Sequence, residues 1–312
     1  MKNDFISSFA HSPIMLTEGA VGQRLEHEYG LLPDADIMYA ALLYSAEGRS
    51  ALKDIYSQYL HIAETYHLPI LLMTNTRRAN RERVIRSPYK DKNIMIDYAV
   101  FLKEIASGFK CKSFIGGMLG CKNDAYSGNE GLSFSDAVQF HSWQIDMCQH
   151  APIDYLFAGI MPSKDEAMGM ARAMESASKP YIISFMINRS GALLDGTTIN
   201  DAILAIDDIV TQKPLCYMTN CVHPTILKEA LSQPFNETET VRMRFSGIQA
   251  NAACYEPHEL DSSIGLLTTS STDLANEFDV LRKEFPLKIW GGCCGTDNTH
   301  IRELAKRLSV SQ

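Results

Sequence analysis

Apolar segments typical of β-strands alternate with helical segments along the whole chain of 312 residues. Alternation of this kind predicts parallel βαβ units, and eight of them favour an α/β fold closed into a (β/α)₈ TIM barrel. We expect a single domain, residues 1–312. The alternative is an open doubly wound sheet, but no Gly-x-Gly-x-x-Gly motif follows the first strand. The predicted strands are 12–20, 69–76, 112–120, 153–159, 180–187, 215–220, 242–251 and 287–290.

Composition limits where the protein works and what it binds. The formal net charge of −8 argues against nucleic acid or an anionic membrane as a partner. No apolar stretch reaches the length of a membrane span, and the N-terminus carries no secretory signal. The 8 cysteines are not spaced as a disulfide framework. We therefore expect a cytoplasmic protein with reduced cysteines. A homo-oligomer is possible, because the sequence does not distinguish helices that pair between subunits from helices that face solvent.

Two segments place cysteines where predicted strands end. Ile289 and Trp290 lead into Gly-Gly-Cys-Cys-Gly, residues 291–295, and a similar apolar run ends at Cys221. The glycines let the backbone leave the strand, so that Cys293 and Cys294 can both face one point. The carboxyl ends of barrel strands gather at one face, and strands six and eight are next-but-one neighbours. The three thiols are therefore expected to converge on one ion.

Three thiolates suit Zn²⁺, which favours soft ligands and tetrahedral geometry. Three protein ligands leave the fourth position open, as in catalytic zinc sites. His223 is a candidate fourth ligand that would close the site, although Pro224 constrains the approach of its loop. The alternative is that the cysteines are unrelated and buried. A Cys293–Cys294 disulfide is disfavoured, because adjacent Cα atoms are only about 3.8 Å apart.

The segments 291–296 and 220–224 resemble the paired signature of the homocysteine S-methyltransferase family. The resemblance implies a zinc-dependent methyltransferase that moves a methyl group from a sulfonium or ammonium donor to the thiol of homocysteine, giving methionine. Its partners would be a small-molecule thiol and a methyl donor: S-methylmethionine, S-adenosylmethionine or betaine. The sequence does not choose among the donors, and a cobalamin-dependent route would require a separate partner protein.

The resemblance also implies substrate-binding residues. Glu18 matches the acid that ends the family's first strand and helps to hold the substrate's ammonium group; its alternative role is a helix N-terminal charge. Asn75 and Thr76 lie in a segment similar to the family's T-x-T-x-x-A motif and are expected to line the pocket or cap a loop. Asn251 stands in a region similar to Y-P-N-x-G/A and is also expected to contact substrate.

One position departs from the family. Gly159 stands where the family has a glutamate that binds the amino group of homocysteine. An ammonium group in a concave site needs a partner charge or several acceptors. Glu18 would then hold the ammonium alone, the substrate would be another thiol or a selenol, or the fourth strand would lie in a different register.

The expected chemistry follows from the predicted ligands. A three-thiolate zinc site is electron-rich and suits the binding of a further thiol as thiolate, the nucleophilic form. The thiolate would attack the methyl group of a cationic donor held by aromatic side chains. Tyr255 is one candidate for this contact, and packing in the core is its alternative role. The remaining alternative is a barrel that binds zinc or thiols without catalysis.

Overall fold

The computed structural model describes residues 4–123, 125–256, 259 and 267–310. Eight parallel strands form a closed barrel in sequence order. β1 and β8 close it, with Met15 opposite Ile289 and Leu16 opposite Trp290. The predicted (β/α)₈ barrel is confirmed. The strands are β1 (Met15–Thr17), β2 (Ile70–Met73), β3 (Ser113–Gly120), β4 (Tyr155–Met161), β5 (Tyr181–Phe185), β6 (Cys216–Val222), β7 (Phe245–Ala250) and β8 (Ile289–Gly292).

Helices separate the strands, and several begin at a side chain that caps the first turn. Ser45, Asn80 and Thr198 each accept a hydrogen bond from a backbone N–H three residues later. The α-helices are α1 (Asp4–His11), α2 (Gly22–Tyr29), α3 (Ala46–Thr65), α4 (Arg81–Arg86), α5 (Ile94–Ala106), α6 (Phe134–Gln149), α7 (Lys164–Glu175), α8 (Ile199–Ile209), α9 (Pro224–Leu231), α10 (Glu239–Arg244), α11 (Ser271–Glu284) and α12 (Asn298–Ser309), with a 3₁₀ helix at Tyr39–Tyr44.

All eight predicted strands have somewhat different bounds in the structure, and two of the differences concern residues discussed below. Strand seven was expected from residue 242, but residues 242–244 end α10, whose first turn is capped by the Thr238 hydroxyl. The Arg244 guanidinium also binds Asp207 on α8, with Nε 2.9 Å from Oδ2, and this fixes the end of α10. Strand four was expected to end at Gly159, but β4 continues to Met161 and so places Gly159 inside the strand.

The barrel interior is packed at one end and open at the other. Phe5 of α1 closes the packed end, where its ring stacks on Tyr155 at a centroid distance of 4.6 Å and contacts Phe114 at 5.1 Å. Residues near the strand starts complete this inner cluster, among them Met15, Leu71, Ile182, Cys216 and Ile289. The carboxyl ends of the strands are therefore the end where a small molecule can enter.

A larger apolar cluster fills the space between the strands and the helices around them. Trp290 is fully buried there and packs edge-on against Phe278 of α11. Within the described residues, none of the helices combines the length and the apolar character that crossing a membrane requires.

Candidate metal and substrate site

A cavity of about 300 Å³ opens at the carboxyl ends of the strands. Its wall includes Glu18 after β1, Asn75 after β2, Cys221 of β6, and Cys293 and Cys294 after β8. Active sites of (β/α)₈ barrels lie at this end, because loops from all eight strands meet there. The cavity is therefore the candidate functional site.

The structure brings three cysteines together in the cavity wall. The Sγ atoms of Cys221, Cys293 and Cys294 all lie within 4.8 Å of one another. In the part of the chain that the structure describes, these form the one group of three or more His, Cys, Asp or Glu side chains arranged to hold a metal ion. Three sulfur donors fit a soft or borderline cation such as zinc.

Two of these cysteines are paired with each other. Cys221 and Cys293 form a disulfide, while Cys294 is a free thiol whose Sγ lies 4.0 Å from that of Cys293. The sequence predicted reduced cysteines, whereas the structure pairs these two; their reduction stays a prediction for the metal-bound protein. The Cα atoms of Cys221 and Cys293 are 5.3 Å apart, within the ordinary disulfide span. Metal ligation needs thiolates, so metal binding requires this bond to be reduced.

A bulge in β6 directs Cys221 to the cavity. Strict alternation from Met218, which faces the barrel interior, would place residue 220 inside and residue 221 outside. At Cys221 the backbone φ is 60°, and the pairing of β6 with β7 shifts between Asn220 and Val222. The extra residue interrupts the alternation, and Cys221 joins the cavity wall. A positive φ at a residue with a side chain costs about 1–3 kcal/mol, so neighbouring contacts must hold it.

Asn220 supplies contacts that hold this bulge. Its Oδ1 accepts hydrogen bonds from the backbone N–H of Ile160 on β4 at 2.9 Å and from the Ser184 hydroxyl on β5 at 2.5 Å. Asn220 is buried and thus links the ends of three neighbouring strands. No role for Asn220 was predicted from the sequence beyond its place in the segment 220–224. Its position next to a ligand cysteine was the available signal.

The glycines around Cys293 and Cys294 allow close backbone contacts. A Cβ on Gly291 would lie 1.9 Å from the Thr17 hydroxyl oxygen, and Gly295 has φ 76°. The Cys293 N–H then bonds the Ala250 carbonyl at 2.7 Å and so ties the chain after β8 to β7. The backbone leaves the strand at this point, as the sequence predicted for the two thiols.

Glu18 places a buried carboxyl in the cavity wall. Its Oε1 accepts the backbone N–H of Met73 at 3.1 Å, and its Oε2 is buried without a hydrogen-bond partner among the described residues. Burial raises the pKa of Glu18 to about 8, against the opposing effect of backbone hydrogen bonds. Without substrate the carboxyl is mostly protonated at neutral pH, and Oε2 is available to a polar group in the cavity.

The other residues expected to bind substrate are placed differently from one another. Asn75 lines the cavity, and its Nδ2 has no partner among the described residues. Thr76 is not among the described residues that line the cavity. Its hydroxyl is buried and donates to the Met118 carbonyl at 2.8 Å. Asn251 is buried and does not line the cavity. Its side-chain Nδ2 and Oδ1 have no hydrogen-bond partner among the described residues. Tyr255 also does not line the cavity and is 44% exposed.

His223 is separate from the cysteine group. It caps the start of α9, where its Nδ1 accepts the backbone N–H of Thr225 at 3.3 Å. Burial lowers the pKa of His223 to about 4, so its ring is neutral. The ligand group in the described chain therefore holds three sulfurs without this imidazole.

An acidic side chain at position 159 would require the Met118 side chain to move. A Cβ on Gly159 would lie 2.7 Å from the Met118 Cε. Met118 itself lines the cavity, so a thioether occupies this part of the wall.

Two arginines and several tyrosines complete the wall and were not predicted from sequence. Arg78 donates to the carbonyls of Lys122 and Asn123. Arg77 is half-buried, and within the described residues it makes no ion pair or hydrogen bond. Its charge lowers the pKa of Cys294 against the larger opposing effect of burial, which leaves that pKa raised. Tyr39, Tyr56 and Tyr126 also line the cavity.

Comparison with known proteins gives a family and a fold. The family described as homocysteine S-methyltransferase matches residues 15–308. The homocysteine methyltransferase MmuM from Escherichia coli has a similar structure in its oxidized form, with a TM-score of 0.76 at 16% identity over 96% of this chain and 97% of that chain. Its metallated form matches with a TM-score of 0.75 at 15% identity over 96% and 98% of the two chains. At this identity the structural likeness establishes the barrel fold.

Proposed function

Because the chain belongs to the homocysteine S-methyltransferase family and is a methyltransferase acting on the thiol of homocysteine, we propose that Cys221, Cys293 and Cys294 hold a Zn²⁺ ion for this reaction. The observation that carries the proposal is the convergence of three Sγ atoms within 4.8 Å in the cavity wall. Three protein ligands leave room for one sulfur from the substrate.

Zinc bound to these cysteines would lower the pKa of the substrate thiol and hold it as a thiolate. The cysteines must first lose their own protons, and burial opposes this at Cys294 by raising its pKa. Arg77 favours the thiolate at Cys294, because a nearby positive charge stabilises the anion. Metal loading should therefore release protons and depend on pH.

Glu18 is the acid that would contact the ammonium group of homocysteine. Its unpaired Oε2 is buried in the cavity wall, where an unsatisfied polar oxygen costs free energy until a donor reaches it. A positive group in contact with Oε2 would lower the pKa of the Glu18 carboxyl and favour its ionised form. Substrate binding and ionisation of Glu18 would then support each other.

Methyl transfer needs a cationic donor in the same cavity. The substrate sulfur forms a bond to the methyl carbon while the bond from that carbon to the donor breaks, and its electron pair goes to the leaving group. Charge is neutralised in this step, so a cavity that excludes water favours it. Tyr39 and Tyr126, which line the cavity, are the aromatic residues that would contact a sulfonium or quaternary ammonium group.

The test is methionine formation by reduced, zinc-loaded protein. L-Homocysteine is supplied with S-methylmethionine, S-adenosylmethionine or betaine, and methionine is measured by mass spectrometry. We expect methionine from at least one donor, its loss in Cys221→Ser, and its retention in Cys254→Ser, which changes an exposed cysteine outside the cluster. Stoichiometric zinc without methionine from any donor would contradict the proposal.

A further inference from the structure

We propose that Arg77 binds the carboxylate of the thiol substrate, and that this carboxylate, more than the ammonium group, decides which thiols the site accepts. The inference rests on the proposed function, since it assumes that the substrate sulfur sits beside the three cysteines. It assigns a specificity-determining residue and defines the substrate class as thiols bearing a carboxylate.

The charges in the cavity wall favour an anionic group. Apart from cysteines and tyrosines, the ionisable side chains in the described wall are Glu18, Arg77 and Arg78. Arg78 is already bonded to two carbonyls of the segment after β3. Among the described residues Arg77 has neither an ion pair nor a hydrogen bond, so its guanidinium is available to a ligand.

The backbone of β3 makes room for the Arg77 side chain. A Cβ added at Gly120, the last residue of β3, would lie 2.4 Å from Arg77 Cγ and 3.1 Å from Cδ. The stem of Arg77 therefore passes over Gly120, and any side chain there would displace it. The charge of Arg77 also acts on Cys294 and Tyr39, which both line the cavity. Arg77 is thus held close to the cysteine side of the site.

The two ends of an amino acid substrate would meet unequal partners. A guanidinium binds a carboxylate through parallel hydrogen bonds between opposite charges, which are among the strongest in proteins. The ammonium group would meet Glu18, which burial keeps mostly protonated before binding. Near Gly159, the wall residues that the structure describes add the Met118 thioether and no second acid. The carboxylate therefore has the stronger partner.

Three thiols separate these contributions. L-Homocysteine carries both groups, 4-mercaptobutanoate lacks the amino group, and 3-mercaptopropylamine lacks the carboxylate. Their dissociation constants for reduced, zinc-loaded protein are measured by calorimetry, and entry of their sulfur is checked by zinc-edge X-ray absorption. We expect 3-mercaptopropylamine to bind about 10- to 100-fold more weakly than homocysteine. The affinity of 4-mercaptobutanoate should be less than about 10-fold below that of homocysteine.

Variants assign the effect to Arg77. Arg77→Gln should weaken binding of homocysteine and 4-mercaptobutanoate about 10- to 100-fold and leave 3-mercaptopropylamine unchanged. Gly120→Ala should reproduce this pattern, because it displaces the same side chain without removing its charge. Arg81→Gln is the matched control, since Arg81 is exposed at the start of α4 and lies outside the described cavity wall.

The outcomes distinguish this inference from the proposed function. If every thiol delivers a sulfur to zinc but 3-mercaptopropylamine binds as well as 4-mercaptobutanoate, the role of Arg77 is wrong and the proposed function stands. An equal loss for all three thiols in Arg77→Gln would also overturn it, by indicating a general structural role. If no thiol delivers a sulfur, the proposed function fails and this inference fails with it.

Discussion

The side-chain oxygen of Asn220 accepts the backbone N–H of Ile160 at 2.9 Å and so joins the ends of β6 and β4 beside the cysteine group. Both strands are irregular at this place, with φ 48° at Ile160 and φ 60° at Cys221. The contact therefore stabilises two unfavourable backbone conformations, one of them at a proposed metal ligand.

Asn220→Ala should weaken zinc binding without removing a ligand. Loss of a residue that orients a metal ligand typically costs about 10- to 100-fold in affinity. Leaving the Ile160 N–H and the Ser184 hydroxyl unpaired should also lower the free energy of unfolding by about 1–3 kcal/mol. Competition with a chromophoric chelator measures the first effect and urea unfolding the second. Unchanged zinc affinity would show that Asn220 does not position Cys221.

Cys221→Ser should abolish stoichiometric zinc binding by the reduced protein. It removes one of three sulfur donors and replaces it with a neutral hydroxyl, which is a poor ligand for zinc. Zinc content after gel filtration is measured by elemental analysis, with Cys254→Ser as the control. One equivalent of zinc retained in Cys221→Ser would reject the assignment of the ligands.

Oxidation should compete with metal binding. The Cys221–Cys293 disulfide removes two of the three proposed ligands, so oxidised protein should bind no stoichiometric zinc and regain it after dithiothreitol. Zinc-loaded protein should in turn resist disulfide formation, because its thiolates are coordinated. Peptide mapping locates the disulfide. Equal zinc content in the oxidised and reduced proteins would contradict this account.

Glu18 should make stability fall as pH rises. Its pKa is raised by burial from an ordinary 4.5 to about 8, so between these values the folded protein holds a proton that the unfolded chain releases. The free energy of unfolding then decreases by up to about 1.4 kcal/mol per pH unit across this window. Glu18→Gln should remove that decrease, as measured by urea unfolding of zinc-free protein. If the free energy of unfolding changed with pH in the same way in both proteins, burial would not raise the pKa of Glu18.

Glu18→Gln also tests the contact with ammonium. Homocysteine should bind more weakly to this variant, whereas 4-mercaptobutanoate has no ammonium group and should bind nearly as well as to the parent protein. Calorimetry with reduced, zinc-loaded protein gives both constants. Equal losses for the two ligands would show that Glu18 acts on something other than the amino group.

The sequence was sufficient for the barrel and for the grouping of the cysteines. Alternating apolar and helical segments depend on local periodicity, and the cysteines follow strands whose ends meet in any such barrel. The start of β7 could not be predicted from the sequence in the same way. The cap at Thr238 and the ion pair of Arg244 with Asp207 extend α10 into residues whose apolar pattern indicates a strand.

Other features of the site depend on register and could not be predicted. The bulge at Cys221 arises from hydrogen bonds across strands, which leave no local pattern in the sequence. The position of the Arg77 side chain depends on Gly120, the last residue of β3. Thr76 was expected either to line the pocket or to cap a loop; its hydroxyl bonds the Met118 carbonyl, because side-chain directions in a strand-end loop are set by neighbouring strands.

The most direct test of the central claim is zinc-edge X-ray absorption of reduced, zinc-loaded protein titrated with L-homocysteine. Three sulfur neighbours from the protein should become four when homocysteine binds, and L-methionine, which has no free thiol, should leave the number at three. Four sulfurs with homocysteine would establish that the substrate thiol joins Cys221, Cys293 and Cys294. Zinc that keeps three sulfurs at saturating homocysteine, or protein that holds no zinc when reduced, would contradict the account.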